Sequence, residues 1–415
     1  MRFGTLLRHL GPGFVTGASD DDPAGIGTYI QTGAQFGYAQ LWVALFSFPF
    51  MSVIQEMSGR IGLVTGQGLA AVIRNNYARP VLLFVVAIQV ASNTVNIGAD
   101  LSAMAESARL LWPLPYALML AFTTLLTTAL IVLVPYRRYA VFLKVLGLAL
   151  LTYVVSAFTI HADWRAVLTA TFVPHLDWNK DFLLTLIAVF GVTISPYEFF
   201  WQSSEEVEEL VGARKLTQEG AARPQTSAGD VRFLRQDTVF GMFFSNAIMF
   251  FVIVTAAATL HAQGRTDVQS AVQAAQVLRP LAGDATFLLF TIGIVSAGLL
   301  AIPVMAGSSA YVVGGAFNWP RTLSKPFWQE WRFYGIIVGS CLLGLLVNAL
   351  RIPPFKLLYY SAVLNGVISP VLLFLVTQIA SNPKIMRQFT SSPVRSALGW
   401  ALCAFMTLAL AALVV

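Results

Sequence analysis

Eleven apolar runs, each long enough to cross a bilayer as a helix, divide the 415-residue chain. A membrane helix needs about 20 mostly apolar residues. The runs cover about 13–35, 40–62, 80–105, 111–134, 139–160, 181–203, 236–260, 285–313, 333–350, 356–380 and 395–415. Charged residues make up only 11% of the chain, whereas soluble domains carry about 25%. The sequence therefore predicts an all-α integral membrane protein that is surrounded by a lipid bilayer.

The basic residues predict the orientation of these runs. With the N-terminus in the cytoplasm, 19 of the 26 lysines and arginines fall on the inner side and 7 on the outer side. Such a bias is typical of the cytoplasmic side of a membrane protein. We therefore expect a bacterial inner or plasma membrane location, a cytoplasmic N-terminus and an external C-terminus. The basic residues are scattered between apolar runs, so no nucleic-acid partner is expected.

The first run contains an acidic break. Asp20, Asp21 and Asp22 are followed by Pro23 inside a stretch that is otherwise apolar. A carboxylate at bilayer depth costs at least about 2.5 kcal/mol, and proline removes a backbone donor from the helix. Such a segment is stable in a membrane only where its irregular backbone lines a cavity and its charge meets a partner. The expected partner is a cation; the alternative is a charged loop just outside the membrane.

A second break matches the first. Pro196 lies in the middle of the sixth run, between Ser195 and Tyr197, and 173 residues after Pro23. Each proline opens a group of five runs, and because five is odd the second group is inverted. Paired interrupted helices at matching positions indicate the midplane site of a transporter, whereas a lone break would be an ordinary proline kink. A single transmembrane domain is predicted, with repeats at about 13–160 and 181–380 and an extra helix at 395–415.

Oxygen atoms dominate the chemistry that these breaks can offer. Backbone carbonyls freed at a broken helix are negative, and together with a carboxylate they suit a hard cation such as Mg, Ca or Mn. The predicted metal-binding residues are Asp22, Gly25, Val192 and Ser195. Secondary candidates are Asp20, Asp21, Tyr197, Asp100, Asn365 and Glu56. For the last three, hydrogen bonds between packed helices are the alternative interpretation.

Several of these segments resemble one transporter family. Segments 11–14, 22–23, 33–38, 41–42 and 62–66 resemble the start of the Nramp divalent-metal transporters, and 191–203 resembles their sixth span. Asp100 and Leu101 resemble the acidic motif of their third span. The resemblance implies the LeuT-type fold of two inverted five-helix repeats plus one helix, with helices 1 and 6 broken. It also implies alternating access and a metal site between those two helices.

The chain departs from the family at the residues that bind the metal. The family has Asp-Pro-Gly-Asn in the first span and Met-Pro-His in the sixth, where this chain has Asp22-Pro23-Ala24-Gly25 and Ser195-Pro196-Tyr197. Of the side-chain ligands only Asp22 carries over. Loss of the thioether weakens discrimination against hard ions, so Mg becomes a rival to Mn and Fe. The histidine and the ninth-span arginines that the family is thought to use for protons are also missing.

We therefore predict a secondary transporter of a divalent metal cation, Mn/Fe or Mg, that works by alternating access as a monomer and without a cofactor. One alternative is an organic-cation transporter of the same fold, with a pocket walled by residues 197–201. Another is a non-transporting metal sensor that uses loop 206–235, predicted to be mobile, as its partner site. An enzyme is not expected, because the sequence has no Cys/His metal spacing, nucleophile elbow or phosphate-binding glycine loop.

Overall fold

The computed structural model describes residues 11–134, 150–160 and 162–414, and these residues form helices and loops without a β-strand. The first half contains α1 Pro12–Asp20, α2 Pro23–Phe36, α3 Trp42–Thr65, α4 Leu69–Asn76, α5 Arg79–Ala108, α6 Tyr116–Leu133, α7 Leu151–Thr159 and α8 Trp164–Phe172. The predicted fifth run, 139–160, lies mostly outside the described residues, and only its end is seen, as α7.

The second half repeats the pattern of a broken helix followed by long ones. It contains α9 Lys180–Thr193, α10 Pro196–Gly212, α11 Ala228–Thr259, α12 Ala271–Ala275, α13 Thr286–Phe317, α14 Trp331–Val347, α15 Pro354–Ala380 and α16 Pro393–Val414. Two single-turn helices, Arg279–Ala282 and Pro383–Met386, lie in the connections. Ten of the eleven predicted runs are thus seen as helices over most of their length.

Eight helical stretches in the described part of the chain are long and apolar enough to span a membrane by length and composition alone. Three predicted runs are not among them. The first is divided into two short helices, the second carries Glu56 and Arg60, and the fifth is mostly outside the described residues. The break in the first run and the charged pair Glu56 and Arg60 in the second both lie inside the helix bundle.

The broken helices lie at the centre of the bundle. The most apolar 18-residue stretch of Lys180–Gly212 is 94% buried by the rest of the protein, whereas that of the C-terminal helix is only 17% buried. A helix that is apolar all round and buried belongs to the interior, while one that is mostly uncovered faces lipid. The sixth span is therefore surrounded by protein, and α16 lies at the periphery.

Glycines bring α1 into backbone contact with α11. A Cβ added to Gly17 would lie 2.3 Å from the carbonyl carbon of Gly241, and one added to Gly13 would lie 2.7 Å from the Thr238 nitrogen. Small residues one turn apart allow membrane helices to approach this closely. The carboxylate of Asp237 accepts hydrogen bonds from the backbone nitrogens of Gly11 and Phe14 and so caps the start of α1. These contacts fix the first half of the broken helix.

The second broken helix is packed in the same way. A Cβ on Gly191 in α9 would lie 2.3 Å from the Ala362 oxygen in α15, and one on Gly366 would lie 2.5 Å from the Ile187 oxygen. Both glycines are needed because the two backbones touch. Each break is therefore adjacent to a helix segment that neighbouring backbone holds rigidly.

The segment 206–235, predicted to be a loop, is helical at both ends. Helix α10 continues to Gly212, and α11 begins at Ala228. The Glu208 carboxylate accepts hydrogen bonds from the Thr322 and Ser324 hydroxyls at 2.7 and 2.8 Å and from the Leu323 nitrogen at 3.1 Å. The predicted bounds of the loop were wrong at both ends, because residues 206–212 continue α10 and residues 228–235 begin α11. Glu208 is held by partners more than 100 residues away.

Candidate cation site

The first break follows from the chemistry of Pro23. Proline cannot donate a backbone hydrogen bond and disfavours the helical conformation in the residue before it. Accordingly α1 ends at Asp20, Asp22 is extended (φ −71°, ψ 169°), and α2 restarts with Pro23 in its first turn. The Asp22 carboxylate caps the new helix by accepting a hydrogen bond from the Gly25 nitrogen at 2.5 Å. The Asp22 carboxylate therefore lies in the gap between two half-helices.

The second break has the same construction. Helix α9 ends at Thr193, Ser195 is extended (φ −71°, ψ 118°), and α10 begins with Pro196. The Ser195 hydroxyl donates to the Val192 carbonyl at 2.8 Å. Two of the predicted oxygen donors are thus bonded to each other, and the carbonyl of Val192 keeps a second lone pair free for another donor or ion.

Tyr197 joins the two breaks. Its hydroxyl donates to the Ser19 carbonyl at 3.2 Å and lies 3.5 Å from Oδ2 of Asp22. The hydroxyl of Tyr29, which follows the first break, lies 3.4 Å from that of Thr193, which directly precedes the second. The structure therefore brings Asp22 and Tyr197 together, as the matching positions of the prolines predicted.

Asp20 and Asp21 lie on the other side of the break, against α11. The Ser245 hydroxyl is 2.8 Å from Oδ2 of Asp20 and 3.4 Å from Oδ1 of Asp21. The second oxygen of each carboxylate is buried without a hydrogen-bond partner among the described residues. Sequence analysis missed Ser245, although the adjacent pair Ser245-Asn246 inside an apolar run was an available signal.

Asp100 in α5 is completely buried, and within the described ranges neither carboxylate oxygen has a hydrogen-bond partner. Met104 lies one turn further along the same face of that helix. A Cβ on Gly298 would be 2.3 Å from Sδ of Met104 and 3.4 Å from Cγ of Pro23, so this face of α5 lies against the first break. Met104 was not among the predicted site residues, although its spacing of four residues from Asp100 places it on the same face of α5.

Two secondary candidates have other partners. Oδ1 of Asn365 accepts hydrogen bonds from the Ser92 hydroxyl at 2.6 Å and the Asn96 amide at 2.8 Å, so it joins α5 to α15. Glu56 forms ion pairs with arginines, the shortest being 3.1 Å to Arg60. The packing interpretation of both residues agrees with these contacts, and neither residue contacts Asp22.

The breaks concentrate negative charge. Glu198, the residue after Tyr197, is 2% exposed and its Oε1 has no hydrogen-bond partner in the part of the chain that the structure describes. The ion pairs among the described residues involve none of Asp20, Asp21, Asp22, Asp100 or Glu198. Buried carboxylates require a proton or a cation. The described histidine, cysteine and acidic side chains include no group of three arranged to hold a metal, so a bound ion would also need carbonyl or water oxygens.

Two interrupted helices that meet at buried carboxylates inside a helical bundle define the class of the protein, an integral membrane transporter. Comparison with known sequences gives the family. Residues 13–415 match the Nramp family model, described as natural resistance-associated macrophage protein-like. The chain belongs to the Nramp family, and the resemblance found in the sequence is confirmed.

Curated relatives of the chain are named as metal transporters. One, the divalent metal cation transporter MntH of Klebsiella pneumoniae, is 27% identical over 414 residues, covering 96% of this chain and 91% of the relative. The MntH of Xanthomonas campestris is 32% identical over 307 residues, covering 71% of this chain and 65% of the relative. No relative named here is an enzyme.

Solved structures confirm the predicted fold. A crystal structure of the Eremococcus coleocola manganese transporter, in complex with an aromatic bis-isothiourea substituted compound, matches with a TM-score of 0.77 and 18% identity. That match covers 98% of this chain and 86% of the other. A structure of MHP1, a nucleobase-cation-symport-1 family transporter, matches with a TM-score of 0.62 and 14% identity, covering 98% and 91%. At these identities the likeness establishes the LeuT-type fold alone.

Proposed function

We propose that this chain moves a divalent metal cation across the membrane by alternating access, with Asp22 as the central ligand between the two breaks. The observation that carries the proposal is the Tyr197 hydroxyl, which lies within 3.5 Å of both Asp22 and the Ser19 carbonyl. It places the capping carboxylate of one broken helix against the start of the other. Because one chain supplies both breaks, we propose that the monomer is the transporting unit.

The donor atoms favour a hard ion. The Asp22 carboxylate, the backbone oxygens near Gly25 and Val192, and the Ser195 hydroxyl are all oxygen donors, which suit Mg and Mn better than softer metals. Mg keeps several of its waters and needs few carboxylates, which fits a site with one capping aspartate. The structurally similar Eremococcus coleocola protein is a manganese transporter, which supports Mn. We propose Mg and Mn as the cargo to test first, with Fe next.

An organic cation fits the described residues less well. The side chains of Asp22, Tyr197 and Phe199 are at most 1% exposed. Trp201 packs against α13, where a Cβ on Gly307 would lie 2.5 Å from its ring. Pockets for organic ligands are typically 300–1,000 Å³. An open cleft of about 510 Å³ does exist, but residues 38–39 and 163–175 line it, away from both breaks.

Uptake into proteoliposomes tests the proposal. The native chain and Asp22→Ala would be compared for uptake of Mg, Mn and Ca, with and without a pH gradient, and Asp177→Ala serves as the control because its side chain is exposed. We expect saturable uptake by the native chain and the control, and loss of uptake in Asp22→Ala. Equal uptake by Asp22→Ala would refute the site. Metal binding without flux would favour the sensor, and acceleration by the gradient would demonstrate proton coupling.

A further inference from the structure

Three arginines from three helices converge on one carboxylate oxygen at one end of the bundle. Oε1 of Glu56 lies 3.1 Å from Nε of Arg60, 3.7 Å from a terminal nitrogen of Arg235 and 3.8 Å from a terminal nitrogen of Arg395. These residues belong to α3, α11 and α16, so the group is assembled only in the folded protein. We call Arg60, Arg235 and Arg395 the arginine cluster.

Each of the three guanidinium nitrogens of Arg60 donates a hydrogen bond, whereas the other two arginines have none to a described residue. Its Nε donates to Glu56, and its terminal nitrogens donate to the Phe389 carbonyl and to the Ser391 hydroxyl, the latter at 2.7 Å. Arg235 and Arg395 are too far from Glu56 for hydrogen bonds. Neither side chain has a hydrogen bond to any described residue, and Nε of Arg235 is buried. One carboxylate thus faces three guanidinium groups.

Apart from Glu56, no acid among the described residues forms an ion pair with Arg235 or Arg395, so two of the three positive charges have no ion-pair partner there. All 20 aspartates and glutamates of the chain fall within the described residues, and Glu56 is the only one in an ion pair with Arg235 or Arg395. Arg395 also lies in the first turn of a 22-residue helix. A cation is unfavourable there, because the start of a helix is itself positive. The missing partner is therefore an anion.

The surroundings of the arginine cluster indicate a lipid. The side chains of Arg235 and Arg395 are 40% and 25% exposed, so an anion can reach them. Helix α16 is the least covered of the candidate spans. On α11, Val239 and Phe243 follow Arg235 by one and two turns, and they are 38% and 59% exposed. A headgroup at the arginines would place an acyl chain along these two side chains.

We propose that Arg235 and Arg395 bind the phosphate group of an anionic phospholipid where α11 and α16 both approach Glu56 of α3, with Glu56 and Arg60 fixing their positions. Guanidinium groups bind phosphate oxygens through paired hydrogen bonds. Basic pockets between membrane helices on the cytoplasmic side are recognised sites for anionic headgroups. All three arginines belong to the set that the charge bias assigns to the cytoplasm. This lipid site is independent of the metal site at Asp22.

Binding of short-chain lipids tests the proposal. The purified chain in detergent would be titrated with dihexanoyl-phosphatidylglycerol, dihexanoyl-phosphatidylcholine and inorganic phosphate, with the thermal unfolding midpoint as the measurement. We expect the phosphatidylglycerol to stabilise the native chain at concentrations roughly tenfold or more below those of the phosphatidylcholine. Stabilisation by inorganic phosphate alone, lost with Arg235→Gln/Arg395→Gln, would support the same phosphate site with a free anion as its ligand.

Matched variants distinguish binding at this site from nonspecific attraction of the anionic lipid to other arginines. Arg235→Gln/Arg395→Gln should lose the preference for phosphatidylglycerol, and Arg235→Lys/Arg395→Lys should keep part of it. Arg214→Gln/Arg279→Gln removes the same charge from two exposed arginines without ion pairs, and it should behave like the native chain. Equal effects of the two lipids on the native chain, or equal loss in the control, would overturn the proposal. If the glutamine pair does not fold, Arg395→Gln alone provides the same comparison.

Discussion

Two substitutions at Asp22 separate the charge of this residue from its role in capping α2. Asp22→Asn keeps an oxygen that can accept the hydrogen bond from the Gly25 nitrogen, whereas Asp22→Ala removes it. Asparagine and aspartate are about equally good helix caps, and alanine costs about 1 kcal/mol in their place. Both variants remove the negative charge that the proposed function requires.

The expected loss of ion affinity is large in both variants because both lose the charge, and it is smaller in Asp22→Asn, which keeps an oxygen that can still bind the ion. Removing one member of a buried charge pair costs about 2 to 5 kcal/mol, which corresponds to roughly thirtyfold to a few thousandfold in Kd. Isothermal titration of the purified chain with Mn and Mg would measure this loss. The unfolding midpoint without metal should be lower for Asp22→Ala than for Asp22→Asn, because only the alanine variant loses the cap.

A clear result would refute this reasoning. If the Kd of Asp22→Asn for Mn and Mg stayed within about threefold of the native value, the Asp22 carboxylate would not be the central ligand. If the two variants unfolded at the same midpoint, the capping hydrogen bond to Gly25 would contribute nothing measurable. Because both variants remove the same buried charge, the difference between their unfolding midpoints measures the contribution of the capping hydrogen bond.

Three further experiments test the packing around the breaks. Gly191→Ala should lower the free energy of unfolding by about 1 to 3 kcal/mol, because its new Cβ overpacks the contact with α15. Gly293→Ala is the control and should be tolerated, because no atom lies within 4 Å of its new Cβ. Thermal unfolding of the two variants measures the difference in stability. Gly298→Ala should reduce metal uptake by pushing Met104 toward the first break. The double variant Gly298→Ala/Met104→Ala should recover uptake, because the shortened side chain makes room for the new Cβ. No recovery would show that crowding between residues 298 and 104 is not the cause of the loss. Tyr197→Phe should cost about 1 kcal/mol in unfolding free energy, and an unchanged value would show that its hydroxyl does not hold the breaks together.

The sequence alone determined where the helices break. A proline removes a backbone donor and disfavours the helical conformation in the residue before it, and Asp22 and Ser195 are extended accordingly. Pro49, Pro303 and Pro370 lie inside continuous helices, so the polar residues beside Pro23 and Pro196 were the further signal for a break. The lengths of the apolar runs likewise determined the spans, because bilayer thickness fixes the length of a crossing helix. The matching positions of Pro23 and Pro196 predicted that the breaks would be equivalent, and Tyr197 does lie against Asp22.

Only the tertiary structure decided which polar residues meet. Ser245 binds Asp20 from 225 residues away, and Asn365 pairs with Asn96 across 269 residues. Glu56 was a secondary candidate for metal binding, but arginines from two other helices lie beside it in the folded protein. Such contacts depend on helix rotation and on the glycines that allow close approach, and these properties belong to pairs of helices. A single run of sequence specifies its own backbone, whereas the partner of a buried charge is fixed only when the helices pack.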